Sequence, residues 1–179
     1  MEKLQVKLKK VNKDLAVLLG RKNEMSLPQV SKIVINSGTG KAKDKKRNEL
    51  VADRLAKITG QKVTERGAKQ SVAGFKMREG DIVGLAVTLR GQRMYDFLDR
   101  FINIVIPRIR DFKGIDPKCI DEVGNMTIGI KEHTVFPETA DEEIRDLFGL
   151  SVTIVTTARN KAEAKAFFDG IGFPFKKVK

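Results

Sequence analysis

Apolar residues recur along this chain in two rhythms, one helical and one alternating, and the switches between them predict the elements. Leu4, Leu8, Leu15, Leu18 and Leu19 stand near helical spacing among Lys3, Lys7, Lys9, Lys10 and Lys13. They predict a basic, weakly amphipathic helix over residues 1–25, with Gly20 as its stop. After Pro28, the β-branched run Val30-Ser31-Lys32-Ile33-Val34-Ile35-Asn36 reads as a strand that Gly38-Thr39-Gly40 breaks. Residues 45–59 read as a helix marked by Leu50, Leu55 and Ile58, with Gly60 in the usual post-helix position. Val83, Leu85, Val87 and Leu89 then alternate with Gly84, Ala86, Thr88 and Arg90, so the two sets face opposite ways. Met94, Phe97, Leu98, Phe101, Ile102 and Val105 form one apolar stripe, and Pro107 is expected to end that helix.

Further strands are expected around Met126-Thr127-Ile128-Gly129-Ile130 and over residues 150–155. Thr139 with Glu142 makes a capping box for a short helix. Asn160 and Glu163 open a last helix over 161–169, which Gly170 is expected to close, and the tail Phe173-Pro174-Phe175-Lys176-Lys177-Val178-Lys179 is basic. Residues 67–80, glycine-bounded, show neither period and are expected to form a long loop, a feature that in a compact domain is usually functional or disordered.

The strands need cover on their apolar faces, and the helices at 45–59, 94–106 and 161–169 can supply it. Their other faces carry Ser, Thr, Gly, Ala, Asn and Arg. The expected fold class is α+β: an antiparallel or mixed sheet with helices packed on one face, an open polar face, and a long protruding basic loop. The expected organisation is an N-terminal basic helix over 1–25 on or near a single domain over 26–179.

Charge changes the picture. The 179 residues carry 35 Lys+Arg against 23 Asp+Glu, a net charge of +12. On a folded domain that excess points to a nucleic-acid partner. The start lacks the apolar stretch of a secretory signal, and no apolar run approaches a bilayer span, so a cytoplasmic protein without a membrane partner is expected. The small polar residues of the open face let a nucleic-acid backbone lie close, with Asn36, Thr88, Arg90 and Thr153 as donors.

Catalytic chemistry finds little support, and no enzyme is expected. His133 is the lone histidine and Cys119 the lone cysteine, which leaves no nucleophile with a base held by a third group. Asp141, Glu142 and Glu143 suit the first turn of a helix better than a metal, and no metal or cofactor is expected. Gly38-Thr39-Gly40-Lys41 lacks the glycine five residues earlier and the following Ser or Thr of a nucleotide loop, since Ile35 and Ala42 stand there. With no Trp and one Tyr, shape and backbone recognition of folded RNA fits better than stacking on aromatic platforms. Alternatives are a DNA-associated regulator and, third, an enzyme acting on RNA.

A series of blocks then carries a resemblance. Pro28 to Gly38, Thr59-Gly60-Gln61-Lys62, Ser71-Val72-Ala73-Gly74-Phe75-Lys76-Met77-Arg78, Val87-Thr88-Leu89-Arg90-Gly91 and Ile106-Pro107-Arg108-Ile109-Arg110-Asp111-Phe112 occur in order. Gly124-Asn125, Phe136-Pro137-Glu138 and Phe173-Pro174-Phe175 complete them. From about residue 28 onward the chain resembles the fifth protein of the large ribosomal subunit, in its bacterial form. The resemblance implies a structural ribosomal protein that binds 5S rRNA and attaches it to large-subunit rRNA in the central protuberance. It implies contacts with peptidyl-site tRNA, with a small-subunit head protein and with neighbouring 5S-binding proteins. The matching 5S positions are Asn36, Gly38, Gln61, Thr88 and Arg90. The tRNA-contact loop would offer Lys69, Ser71, Phe75, Lys76 and Arg78, and Lys45, Lys46 and Arg47 suit other rRNA. Thr64 and Arg66 depart from the family's pattern after Gly60-Gln61.

Overall fold

Five strands build one sheet, and apolar alternation marks four of them. In the computed structural model, which describes residues 4–40, 45–139 and 147–176, the strands are β1 (Val30–Gly38), β2 (Thr64–Gly67), β3 (Ile82–Leu89), β4 (Met126–Ile130) and β5 (Leu150–Thr156). Their order is β2-β3-β1-β5-β4, and the sheet is antiparallel. The helices are α1 (Leu4–Leu18), α2 (Lys45–Thr59), α3 (Gly91–Arg100), α4 (Ile106–Arg108) and α5 (Lys161–Ile171). The fold is α+β, as the two rhythms require.

The chain forms two compact units, one from Met1–Ile33, Leu89–Ile128 and Thr153–Lys179, the other from Val34–Thr88 and Gly129–Val152. In the first, α1 packs on α5 and on α3. The stripe on α3 is buried as read, with Phe97 and Phe101 stacked at 5.7 Å between centroids. Phe167, Phe168, Ile171 and Phe173 fill the core beside α5, and Phe168 meets Phe173 edge-on at 5.4 Å. Burying each such side chain contributes roughly 1.5–3 kcal/mol.

Several boundaries differ from the sequence reading. Helix α1 stops at Leu18, and Glu24–Ser26 is a separate short turn. Its buried side chains include Val11 and Leu15, whereas Leu18 is 70% exposed. Pro107 does not end its helix. After α3 the backbone widens into a π turn (Phe101–Val105), in which the Ile106 N–H reaches the Phe101 carbonyl. Pro107 then stands in the first turn of α4, where a missing N–H is tolerated. Gly170 does not close α5 either: the helix runs to Ile171 and is closed by Gly172 at φ 103°, whose N–H bonds back to Phe168 and Asp169. Gly170 serves packing instead, because a Cβ there would lie 2.6 Å from Val11 Cγ1. The start of α5 is as read, with Asn160 Oδ1 accepting from the Glu163 N–H at 2.9 Å.

The second unit packs Val51, Leu55 and Ile58 of α2 in a core with Ile35, Leu85, Val87 and Val152. Ser37 also points inward, and its hydroxyl donates to the Gly149 carbonyl at 2.8 Å. Left unpaired, that buried group would cost roughly 1–3 kcal/mol. The stretch read as a loop over 67–80 connects β2 to β3 and holds the short turn Ala73–Phe75 and the Val72–Met77 bridge. Residues 64–67 form edge strand β2, paired antiparallel with β3 through Thr64–Ala86, Glu65–Leu85 and Arg66–Gly84. All four β2 residues are exposed, so no apolar alternation could announce it. The polar Thr64 and Arg66 therefore suit an edge strand, which is held by main-chain bonds. The capping box at Thr139 reaches Glu142, and Glu142 lies outside the described residues, as do Asp141, Glu143, Lys41 and the final three residues.

Candidate nucleic-acid interface

Period-two alternation decides which side chains leave the core. On β1, Ile33, Ile35 and Ser37 are buried while Asn36 and Gly38 are exposed. On β3, Leu85, Val87 and Leu89 are buried and Thr88 is half-buried on the other face. On β5, Leu150, Val152, Ile154 and Thr156 are buried, with Ser151, Thr153 and Val155 between them half-exposed. On β4, Thr127 and Gly129 are exposed between buried Met126, Ile128 and Ile130. The open polar face is real.

Within the second unit Asn36 and Gly38 are exposed on β1, and Thr88 on β3 is joined to Gln61. A Cβ added at Gly38 would meet nothing within 4 Å, so the surface above it is open. Ser151 Oγ lies 3.5 Å from the Asn36 carbonyl, a long contact that places a hydroxyl beside Asn36. Gln61 is half-buried and its side-chain Nε2 donates to the Thr88 carbonyl at 3.1 Å. One of its two amide N–H groups thus holds the end of β3. Thr59 steadies that corner, because its hydroxyl bonds to the Leu55 carbonyl at 2.7 Å and accepts from the Gln61 N–H at 3.3 Å.

In the first unit, Arg90 follows β3 directly. It is exposed, with an extended backbone (φ −141°), and sits at the start of α3 without capping it. On the open side, Thr127 and Thr153 pair hydroxyl to hydroxyl at 3.1 Å. Thr127 and Ser151 were missed as candidates, although their outward positions on alternating strands carried the signal.

The β2–β3 connection carries the second cluster. Val72 and Met77 bond to each other through both N–H groups, at 3.0 and 3.2 Å, and Ala73–Phe75 makes a tight turn between them. Lys76 closes that turn at φ 51°. Phe75 is 73% exposed. From Gln61 to Asp81 the cations Lys62, Arg66, Lys69, Lys76 and Arg78 stand against Glu65, Glu79 and Asp81, all of them exposed. Ser71 Oγ accepts from the Glu79 N–H at 2.9 Å. Met77 lies half-buried with its Sδ 3.8 Å from where a Gly40 Cβ would stand. Lys76, Met77, Arg78 and Asn48 line an open groove of about 760 Å³ there. Lys45, Lys46 and Arg47 open α2. Lys46 and Arg47 are exposed, and an Arg47 guanidinium nitrogen lies 3.5 Å from the Leu147 carbonyl.

The groups with catalytic potential are placed differently. His133 is fully buried, with Nδ1 accepting from the Phe148 N–H at 3.4 Å and its ring stacked on Phe148 at 4.2 Å. Cys119 is half-buried in the turn Pro117–Cys119. Among the described residues, no group of three or more His, Cys, Asp or Glu is placed to hold a metal, and no helix is long and apolar enough to cross a membrane.

Comparison with known proteins identifies the family. Residues 23–78 match the family model for ribosomal protein L5, and residues 82–175 match the model for the C-terminus of the same ribosomal family. The chain is 48% identical over 160 residues to the large ribosomal subunit protein uL5 of Prochlorococcus marinus (strain MIT 9301), covering 89% of each chain. It is 47% identical over 167 residues to that of Dichelobacter nodosus, covering 93% of each. It is also 46% identical over 171 residues to that of Ureaplasma urealyticum, covering 95% of this chain and 93% of the relative. Bacterial proteins of this kind are components of the cytoplasmic ribosome. With two matched segments spanning nearly its whole length, the chain belongs to the L5 family of ribosomal proteins, RNA-associated structural constituents of the large subunit that take part in translation and are not enzymes.

Proposed function

We propose that the open sheet face binds 5S rRNA and attaches it to large-subunit rRNA in the central protuberance. Asn36, Gly38, Gln61, Thr88 and Arg90 meet the RNA, and Gln61 also holds the end of β3. The observation that carries this reading is a strand face of small polar residues on a chain of net charge +12. Small side chains admit the ribose-phosphate backbone, hydroxyl and amide groups bond to its oxygens, and the surrounding Lys and Arg release its counterions. Such binding reads one folded shape.

The β2–β3 connection would touch peptidyl-site tRNA with Lys69, Ser71, Phe75, Lys76 and Arg78. Lys45, Lys46 and Arg47 would meet other large-subunit rRNA. A small-subunit head protein and neighbouring 5S-binding proteins complete the partners. Residues 26–179 would serve as one RNA-binding domain, with the segment 1–25, which carries α1, as its basic appendage. Gel-shift titration of the full chain against 5S rRNA and an unrelated RNA of equal length tests the reading. Preference for 5S rRNA at every salt concentration is expected, and equal affinity for both would refute it.

A further inference from the structure

We infer that Asp81 and Ser71 are positioning residues that set the shape of the β2–β3 connection before any RNA arrives. The inference rests on the tRNA-contact reading above. Asp81 Oδ2 accepts from the Arg78 N–H at 2.9 Å, and Ser71 Oγ accepts from the Glu79 N–H at 2.9 Å. These two N–H groups fall just after the Val72–Met77 bridge and just before the main-chain closure, where Gly80 N–H meets the Ala68 carbonyl at 3.0 Å and Ala68 N–H meets the Asp81 carbonyl at 2.8 Å. The two side-chain oxygens thus join the bridge to the strand ends. Between them the connection presents Phe75, Lys76 and Arg78 to solvent.

Electrostatics alone gives Asp81 no place here, because an exposed carboxylate beside Lys76 and Arg78 repels a polyanion. The geometry supplies the reason for it. Each backbone residue left unfixed would have to be ordered on binding at an entropic cost, and a connection already held in shape avoids that loss. The surface so held suits an RNA strand that offers phosphates to the cations and an unstacked base or ribose to the Phe75 ring.

The two effects separate in Asp81→Asn and Asp81→Ala, which have the same net charge. Asparagine keeps an acceptor for the Arg78 N–H and alanine does not. Large subunits reconstituted with each full-length variant would be titrated with deacylated tRNA, and amide exchange of Arg78 would be followed in the free protein. Asp81→Asn should bind tRNA at least as tightly as the native chain. Asp81→Ala should bind roughly 2- to 10-fold more weakly than Asp81→Asn, with faster exchange at Arg78. Ser71→Ala should loosen Glu79 in the same way, and Ser71→Thr should restore it. Equal affinity for Asp81→Ala and Asp81→Asn would overturn the inference, provided that Phe75→Ala still weakens tRNA binding. If Phe75→Ala and Arg78→Ala both left tRNA binding unchanged, the tRNA reading itself would fall, and the inference with it.

Discussion

The side-chain amide of Gln61 donates to the main-chain carbonyl of Thr88 at 3.1 Å, tying the corner after α2 to the end of β3. The bond uses the backbone of Thr88 and leaves its hydroxyl on the open face. Removing Gln61 therefore tests how well the face is held, while removing the Thr88 hydroxyl tests what the face reads.

Gln61→Ala should lower unfolding stability by about 0.5–1.5 kcal/mol, the net worth of one ordinary hydrogen bond. It should also weaken 5S rRNA binding by loosening the end of β3. Urea unfolding measures the first effect and a binding titration the second. Unchanged stability would show that the bond holds nothing.

Arg90 is exposed at the end of β3, a position suited to a phosphate. Arg90→Ala should reduce the slope of log affinity against log salt by roughly 0.7–0.9 while weakening all RNAs alike. Titrations at four or five salt concentrations would read that slope, and a change confined to 5S rRNA would instead make Arg90 a reader of structure.

Gly170 faces Val11 where α1 packs on α5. Gly170→Ala would force its new methyl to within 2.6 Å of Val11 Cγ1, and such overpacking costs roughly 1–3 kcal/mol. Alanine's better helix propensity returns about 1 kcal/mol, so a net loss is expected. Adding Val11→Ala should recover part of it, a coupling that a double-mutant cycle measures directly.

Deleting the tip over Val72–Met77 should leave 5S rRNA affinity intact and reduce tRNA binding by reconstituted large subunits. The tip is bonded mainly within itself, through the Val72–Met77 bridge. Filter binding on both RNAs separates the outcomes, and a collapse of 5S affinity would show that the two surfaces are not independent.

What the sequence made legible followed from burial. Strands β1, β3, β4 and β5 each have one wet and one dry face, so alternation marked them and marked Asn36 and Thr88 as outward. The α3 stripe was equally plain. Strand β2 was illegible because Thr64, Glu65, Arg66 and Gly67 are all exposed and their pairing with β3 is made by backbone alone. Pro107 misled because the π turn before it, a tertiary accommodation, leaves no mark in composition. Gly170 and Gly172 could not be told apart as stops, since only the packing of Val11 gives Gly170 its other role. The commitment of Gln61 to the Thr88 carbonyl joins residues 27 positions apart, a distance over which no local pattern runs.

The most direct test is selective: the ratio of affinities for 5S rRNA and an unrelated folded RNA of equal length, measured for the native chain and for Asn36→Ala with Thr88→Ala. The expected result is a ratio well above one that falls toward one in the double variant, with the weak affinity for unrelated RNA unchanged. A ratio unaltered by removing both side chains, or an equal loss on both RNAs, would contradict a sheet face that selects 5S rRNA.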